Sequence, residues 1–240
     1  MVRNNHAGSA LAALAALLAD ETRAAMCLAL LDGRAWTAGE LARHTGVAPS
    51  TASEHLGRLV AGGLLAEERQ GRHRYVRLAD ARTAQLVEDL AAHAGPPPAP
   101  RTLAQAGAGS AMARARTCYD HLAGRLGILV TDAMTERGLL TQRTGFALTD
   151  EGVQWFAGLG VDLAAARTGR RPLARPCLDW TERRPHLAGV AGAALCAHAL
   201  ASGWCVRIGS GRALKTTARG RAALRTHLGI APDALEAPTA

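Results

Sequence analysis

The sequence predicts a mainly α-helical fold with small β-hairpin wings, split into an N-terminal part and a C-terminal part that repeats itself. Three observations lead there. The 240 residues are 48% hydrophobic but only 3% aromatic, so a core has to be built from close-packed helices carrying Ala and Leu. The run GPPPAP from Gly95 to Pro100 denies the backbone helical geometry and amide donors, and marks a boundary. The segment ARTCYDHLAGRLGILVTDAMTERGLL returns later as ARPCLD, a six-residue insertion (WTERRP) and HLAGVAGAALCAHALASGW, a degenerate duplication. The expected domains are 1–95, a Pro/Gly/Ala linker over 96–110, a duplicated module over 111–230 with repeats near 111–166 and 172–230, and a tail over 231–240.

Before the prolines the elements follow from local signals. The run Ser9 to Ala19 is an Ala/Leu helix. Asp20 is placed to N-cap a second helix whose apolar face is Ala24, Cys27, Leu28 and Leu31, ended by Asp32-Gly33. Thr37 with Glu40 three residues on is a capping box for a short helix through Leu41, Ala42 and Thr45, and Gly46 supplies the turn. Pro49 fits the first turn of a third helix, where Ala52, Leu56, Leu59 and Val60 form a buried stripe and Ser50, Ser53, Glu54 and Arg58 fall outside. Leu64 to Arg69 and His73 to Leu78 read as two strands around Gln70-Gly71, and Asp80 to His93 as another helix.

Two short helices, a tight turn, an outward-facing polar helix and a basic hairpin make a winged helix-turn-helix. In that geometry the second helix enters the DNA major groove. Pro49, Ser50, Thr51, Ser53, Glu54, His55 and Arg58 are its candidate contacts, with Arg69, Arg72 and Arg74 of the hairpin on the flanking phosphates. Each has a plainer reading: His55 borders the buried stripe and suits a packing role equally well, and the arginines suit a solvated face.

The segments LADETRAAMCLALL, ELARHTGVAPSTASEHLGRLVAGGLL and GRHRYVRL resemble the ArsR/SmtB family of dimeric repressors, over roughly residues 9–94. The resemblance implies a homodimer paired through the first and last helices, a palindromic double-stranded operator, and repression. It does not carry the family's metal sites. Where metal-sensing members have ELCVCDL, this chain has AWTAGELA, with Thr37 and Gly39 at the cysteine positions. The last helix offers Glu88, Asp89 and His93 in a pattern unlike the family's ligand set.

The formal charge is +8, from 28 basic residues of which all but Lys215 are arginine. Residues 1–95 hold ten Arg against ten acids, while 96–240 hold seventeen Arg and Lys215 against ten acids, so the basic excess lies in the C-terminal part and favours an anionic partner. Five cysteines without a CxxC pair read as reduced thiols of a cytoplasmic protein. Asp20 and Glu21 directly after the Ala10 to Ala19 run argue against a secretory signal, and no apolar stretch reaches the ~18 residues of a membrane span.

The repeats conserve Cys118, Asp120 and His121 in the first copy and Cys177, Asp179 and His186 in the second. Cys118 and His121, at i, i+3, are expected on one helical face, and with Cys177 and His186 they complete a Cys2His2 set for a zinc-like transition metal. A plainer reading makes the cysteines helix-packing residues and the aspartates caps or Arg partners. A third makes the seam between repeats an effector pocket lined by Tyr119, Trp155, Trp180 and Trp204, with Arg175, Arg183 or Arg184 holding an acidic group. A fourth makes Cys177 a redox switch, its thiol pKa lowered by those arginines. Each repeat is expected as a long helix, a Gly-marked turn, a short hairpin and a closing helix, itself winged-helix-like. Neither offers a second reading helix like APSTASEHL.

No GxGxxG after a strand, P-loop, GxSxG or HExxH occurs, so no enzyme is expected. The sequence thus reads as an operator-binding repressor released by an effector, small molecule or metal, sensed in the C-terminal module. The alternatives are a metal- or thiol-responsive form of the same repressor, and a protein-interaction module that keeps the helix-turn-helix without binding DNA.

Overall fold

The computed structural model describes residues 3–70, 73–94, 103–143, 145–167, 169–209 and 211–236; the GPPPAP boundary, Gly71 and Arg72 lie outside the described residues. The chain forms two compact units, Met1–Val87 and Glu88–Ala240. Among the described residues no helix is long and apolar enough to cross a membrane.

The first unit runs α1 (Arg3–Leu18), α2 (Glu21–Ala29), a 3-10 turn (Leu30–Asp32), β1 (Trp36–Thr37), α3 (Ala38–Thr45), α4 (Pro49–Ala61), β2 (Leu65–Gln70), β3 (His73–Leu78) and the start of α5 (Ala81–Ala94). Short-range polar contacts set its helix ends. Asp20 accepts from the Arg23 amide at the start of α2, and Thr37 and Glu40 form the reciprocal capping box of α3. Gly46 ends α3 at φ 72°, a left-handed conformation that costs a Cβ-bearing residue, and Pro49 opens α4. Arg23 closes the C-terminus of α1 by donating to the carbonyls of Ala16 and Leu17.

These elements bury Met26, Cys27, Leu30, Leu31, Leu41, Leu56 and Leu59. The β2–β3 hairpin pairs from Leu65↔Leu78 to Gln70↔His73. The sheet has a third strand that periodicity did not reveal, because β1 is only two residues long: Trp36 pairs with Val76 and Thr37 with Tyr75. Trp36 is fixed there by its indole N–H, which donates to Asp32 at 2.9 Å.

In the second unit, a helix (α6, Leu103–Arg114) occupies much of the expected linker. Five alanines and a terminal arginine supply helix propensity that outweighs Gly107 and Gly109. Then one order of elements occurs twice. The first copy has β4 (Arg116–Cys118), β5 (His121–Ala123), α7 (Gly124–Glu136), β6 (Leu140–Thr141), β7 (Ala147–Leu148) and α8 (Asp150–Gly158). After α9 (Leu163–Ala166) the second has β8 (Arg175–Leu178), β9 (Pro185–Ala188), α10 (Gly189–Ala201), β10 (Cys205–Arg207), β11 (Leu214–Thr216) and α11 (Ala218–Leu228).

Each copy therefore begins with a hairpin where the sequence analysis expected the long helix. Cys118 and His121 do not share a helical face; they are cross-strand partners on either side of a two-residue loop, in which Tyr119 adopts φ 56°. A spacing of three residues serves a helix and a tight hairpin alike, and here the hairpin is formed.

The copies interlock. Helix α7 packs on β9 and α10 on β5, so that each long helix meets the other copy's leading hairpin. Glycines permit the approach. A Cβ on Gly127 would lie 3.6 Å from His186 Cβ of the other copy and one on Gly192 would lie 3.2 Å from His121 Cβ. Each would also crowd its own hairpin, at 2.6 Å from the Leu122 carbonyl oxygen and 2.5 Å from that of Leu187. Leu126, Val130, Met134, Phe156, Leu195, Trp204 and Leu224 fill the shared core.

Candidate functional site

Helix α4 buries Ala52, Leu56 and Leu59 and turns Pro49, Ser50, Ser53, Glu54 and Arg58 to solvent, with Thr51 half-buried. Because the stripe anchors the helix along its length, these side chains are held on a rigid element, and the first-turn amides are free to meet an anion. The Ser53 hydroxyl donates to the Pro49 carbonyl at 2.9 Å, leaving its oxygen lone pairs as acceptors. In the hairpin Arg69 is 77% exposed, whereas Arg74 is held by Glu67 at 2.6 Å. His55 departs from the exposed face: its ring is 16% exposed and its Nδ1 lies 3.6 Å from Asp20, so it packs between α4 and the cap of α2.

The second constellation lies where the two leading hairpins meet. Cys118 pairs with His121 in the first hairpin and Cys177 with His186 in the second. The insertion that makes the second spacing loose forms the loop between β8 and β9 and returns His186 to the same register. All four side chains are buried, and one donor atom from each lies within 4.8 Å of the others. The two Sγ atoms are 3.6 Å apart and the imidazoles stack at 5.0 Å.

Around them the duplicated aspartates act alike. Asp120 lies 3.2 Å from His121 Nδ1 and is gripped by both guanidinium nitrogens of Arg171, at 2.6 and 3.0 Å. Asp179 lies 3.8 Å from His186 Nδ1, accepts from the Gly124 amide at 2.6 Å, and pairs with Arg116 at 2.8 Å, both side chains fully buried. Arg116 also lies over the Trp180 ring, 4.7 Å from its centroid. Sequence reasoning missed Arg116 and Arg171. The available signal for Arg116 was an arginine two places before the cysteine in both copies, Arg116 and Arg175.

The charges of this cluster follow from these neighbours. Burial pushes the Asp120 carboxyl up, but His121 and Arg171 hold it at about 2. Burial likewise opposes Asp179, and Arg116 and His186 keep it well below the carboxylate range. His121, disfavoured as a cation by burial, is nevertheless raised by Asp120 and then Cys177. The Cys177 thiol is lowered by Cys118, against burial, and then by His121 and His186. Burial and the neighbouring Cys177 raise Cys118. Of the arginines expected to lower Cys177, Arg183 and Arg184 are exposed and Arg184 pairs with Asp132 at 2.7 Å, while Arg175 is half-buried on the same strand as the cysteine.

The expected effector pocket is not assembled. Trp155 donates to the His227 carbonyl and Trp204 stacks on the His227 ring, while Trp180 lies over Arg116 and Tyr119 sits in the β4–β5 loop. Trp155 and Trp204 thus pack about His227, and Trp180 packs on Arg116. A cleft of about 390 Å³ in this unit is lined instead by Arg114, Leu126, Lys215, Arg221 and Glu236, among others.

A buried three-helix scaffold that presents a polar helix, followed by a hairpin carrying an exposed arginine, defines a winged helix-turn-helix DNA-binding regulator of the ArsR-like kind. Residues 18–68 match a family described as a helix-turn-helix domain. The uncharacterized HTH-type transcriptional regulator YdfF of Bacillus subtilis (strain 168) is 40% identical over 221 residues, spanning 92% of this chain and 97% of that protein. The chain belongs to this family of helix-turn-helix transcriptional regulators. It is also 42% identical over 82 residues, 34% of its length and 69% of the relative's, to the HTH-type transcriptional regulator CmtR of Mycobacterium tuberculosis. Among solved structures, the homodimeric winged helix-turn-helix domain of Mb0332 from Mycobacterium bovis covers 39% of this chain and 86% of its own, at 29% identity and a TM-score of 0.36.

Proposed function

We propose that this regulator is a homodimeric repressor that binds a palindromic operator through α4 and is released by an effector sensed in the second unit. The observation that carries the reading is the exposed polar face of α4, set on a helix whose opposite face is fully buried. Ser50, Thr51, Ser53 and Glu54 are short side chains suited to base edges, whereas Arg58 and Arg69 suit phosphates. Dimerisation is supported by apolar helix surface left in solvent: Leu11 of α1 is 68% exposed and Leu90 of α5 is 47% exposed.

The test is affinity for the DNA upstream of the protein's own coding region against a scrambled duplex, measured across a salt series. Specific binding that weakens steeply with salt is expected. Ser53→Ala or Glu54→Ala should change base preference, while Arg69→Ala should weaken all sequences alike and lower the salt slope by about one. Equal, salt-insensitive association with both duplexes would sink the reading in favour of a protein-interaction module.

A further inference from the structure

We propose that Cys118, His121, Cys177 and His186 form a closed tetrahedral site for a divalent, thiophilic cation of the zinc class, which ties together the leading hairpins of the two repeats. The inference concerns the second unit alone and does not rest on the DNA-binding reading.

The donor set is the first argument. Two thiolates and two neutral imidazoles around a 2+ ion sum to no net charge, which is the condition for burying a metal where all four ligands have been removed from water. A monovalent or trivalent ion would leave an uncompensated charge there. Binding requires both cysteines as thiolates and both imidazoles neutral; whatever protons the cluster holds on those four groups are released to solvent, and no other covalent bond forms or breaks.

Geometry is the second argument. Two sulfurs each ~2.3 Å from a tetrahedral zinc stand about 3.8 Å apart, and here Sγ of Cys118 and Sγ of Cys177 stand 3.6 Å apart. A disulfide would bring them to ~2.05 Å. No disulfide joins Cys118 to Cys177.

The third argument is an unmet need. His121 Nε2 and His186 Nε2 are buried with no hydrogen-bond partner, a costly state for a ring nitrogen in an apolar site. Each ring turns its other nitrogen, Nδ1, toward the aspartate two places after its hairpin's cysteine, Asp120 at 3.2 Å and Asp179 at 3.8 Å. A carboxylate hydrogen-bonded behind a ligating histidine, as Asp120 is behind His121, fixes the tautomer that leaves Nε2 unprotonated and facing the ion, whereas His186 has neither ring nitrogen hydrogen-bonded and Asp179 stands near it as a counter-charge. The duplication therefore supplies two half-sites, each of a cysteine and a histidine with an aspartate nearby, and only the first aspartate is hydrogen-bonded to its histidine. Neither half alone provides four ligands.

Co2+ is the probe, because a tetrahedral thiolate site gives it visible d–d bands and a sulfur-to-metal charge-transfer band. Reduced, chelator-treated full-length protein should saturate at one Co2+ per chain and lose its colour when one equivalent of Zn2+ is added. Cys118→Ser and His186→Gln should each abolish or shift the spectrum. Cys196→Ser, which alters another buried thiol of the same unit, should leave it unchanged. Should a ligand variant fail to fold, the wild-type chain decides: Zn2+ should raise its unfolding temperature and chelator lower it. Absence of colour at one equivalent overturns the proposal, as does colour indifferent to Cys118→Ser, an unfolding temperature indifferent to zinc, or a Cys118–Cys177 disulfide that persists under thiol reductant.

Discussion

Polar side chains act over very different sequence distances in the two units. In the first, Asp20 serves the amide of Arg23, Thr37 and Glu40 serve each other, and Asp80 serves Thr83, all within three residues and mostly in contact with solvent. In the second, Arg116 reaches Asp179 across 63 residues, Arg171 reaches Asp120 across 51, and the Leu187 amide reaches Thr131 across 56. The first unit's helices are thus delimited by their own sequence, and its tertiary structure follows from stacking apolar stripes. The second unit is specified by pairings that exist only once both copies have met. Damage should therefore be local in one unit and propagate in the other.

The largest effect expected from that difference comes from Asp179→Asn. It leaves the Arg116 guanidinium, fully buried, without its counter-charge, and breaking one side of a buried pair typically costs ~3–5 kcal/mol. Unfolding in urea, followed on the second unit's tryptophans, is the measurement. Removal of Glu67, the exposed partner of Arg74, should change stability by less than ~1 kcal/mol. Similar losses for both substitutions would break the contrast.

A smaller effect tests packing with one substitution made in two places. Gly192→Ala in α10 sets a methyl 2.5 Å from the Leu187 carbonyl oxygen and 3.2 Å from His121 Cβ. Backbone must move, and overpacking of this kind costs ~1–3 kcal/mol. In α4, a Cβ on Gly57 meets nothing within 4 Å, so Gly57→Ala should stabilise by ~0.5–1 kcal/mol through helix propensity. Opposite signs in thermal unfolding are expected; a shared sign would mean that α10 packs more loosely on its own hairpin and on His121 than the contacts imply.

The same difference explains how far the sequence could be read. Asp20, Thr37 with Glu40, Gly46 and Pro49 announce helix ends by their own chemistry, so the first unit's elements and the exposed face of α4 were legible from neighbours in the chain. The strand Trp36–Thr37 was not, since two residues carry no periodicity. In the second unit the duplication itself was legible and drew attention to Cys118, His121, Cys177 and His186. Their secondary structure was not: a cysteine and histidine three apart look helical until a two-residue loop at Tyr119-Asp120 makes them strand partners. For His55 the spacing left packing and phosphate contact equally open, and its 3.6 Å approach to Asp20, which joins two helices, favours packing.

The smallest expected effect asks whether the contrast extends to helix caps, which both units build with threonine. Thr37 accepts from the Glu40 amide and donates to the Glu40 carboxylate, so the interaction is local. Thr149 and Thr217 occupy equivalent places in the two repeats; each accepts from the amide of Gly152 or Gly220 and donates to the carbonyl of Gly138 or Gly203, more than ten residues back. Replacement by Ala should cost ~1 kcal/mol at Thr37. It should cost more at Thr217, where a part-buried carbonyl also loses its donor. Ser at either position should restore most of the loss. The Thr37 effect should also depend on pH: the Thr37 amide and hydroxyl lower the Glu40 carboxyl from its ordinary 4.5, so the box contributes fully above 4.5 and its contribution fades as pH falls through the lower folded value. The Thr217 effect has no carboxylate in it and should be flat over that range. Equal costs at both threonines with the same pH profile would show that the repeats cap their helices as locally as the first unit does, and that the long-range character of the second unit resides in its buried ion pairs and the Cys2His2 cluster alone.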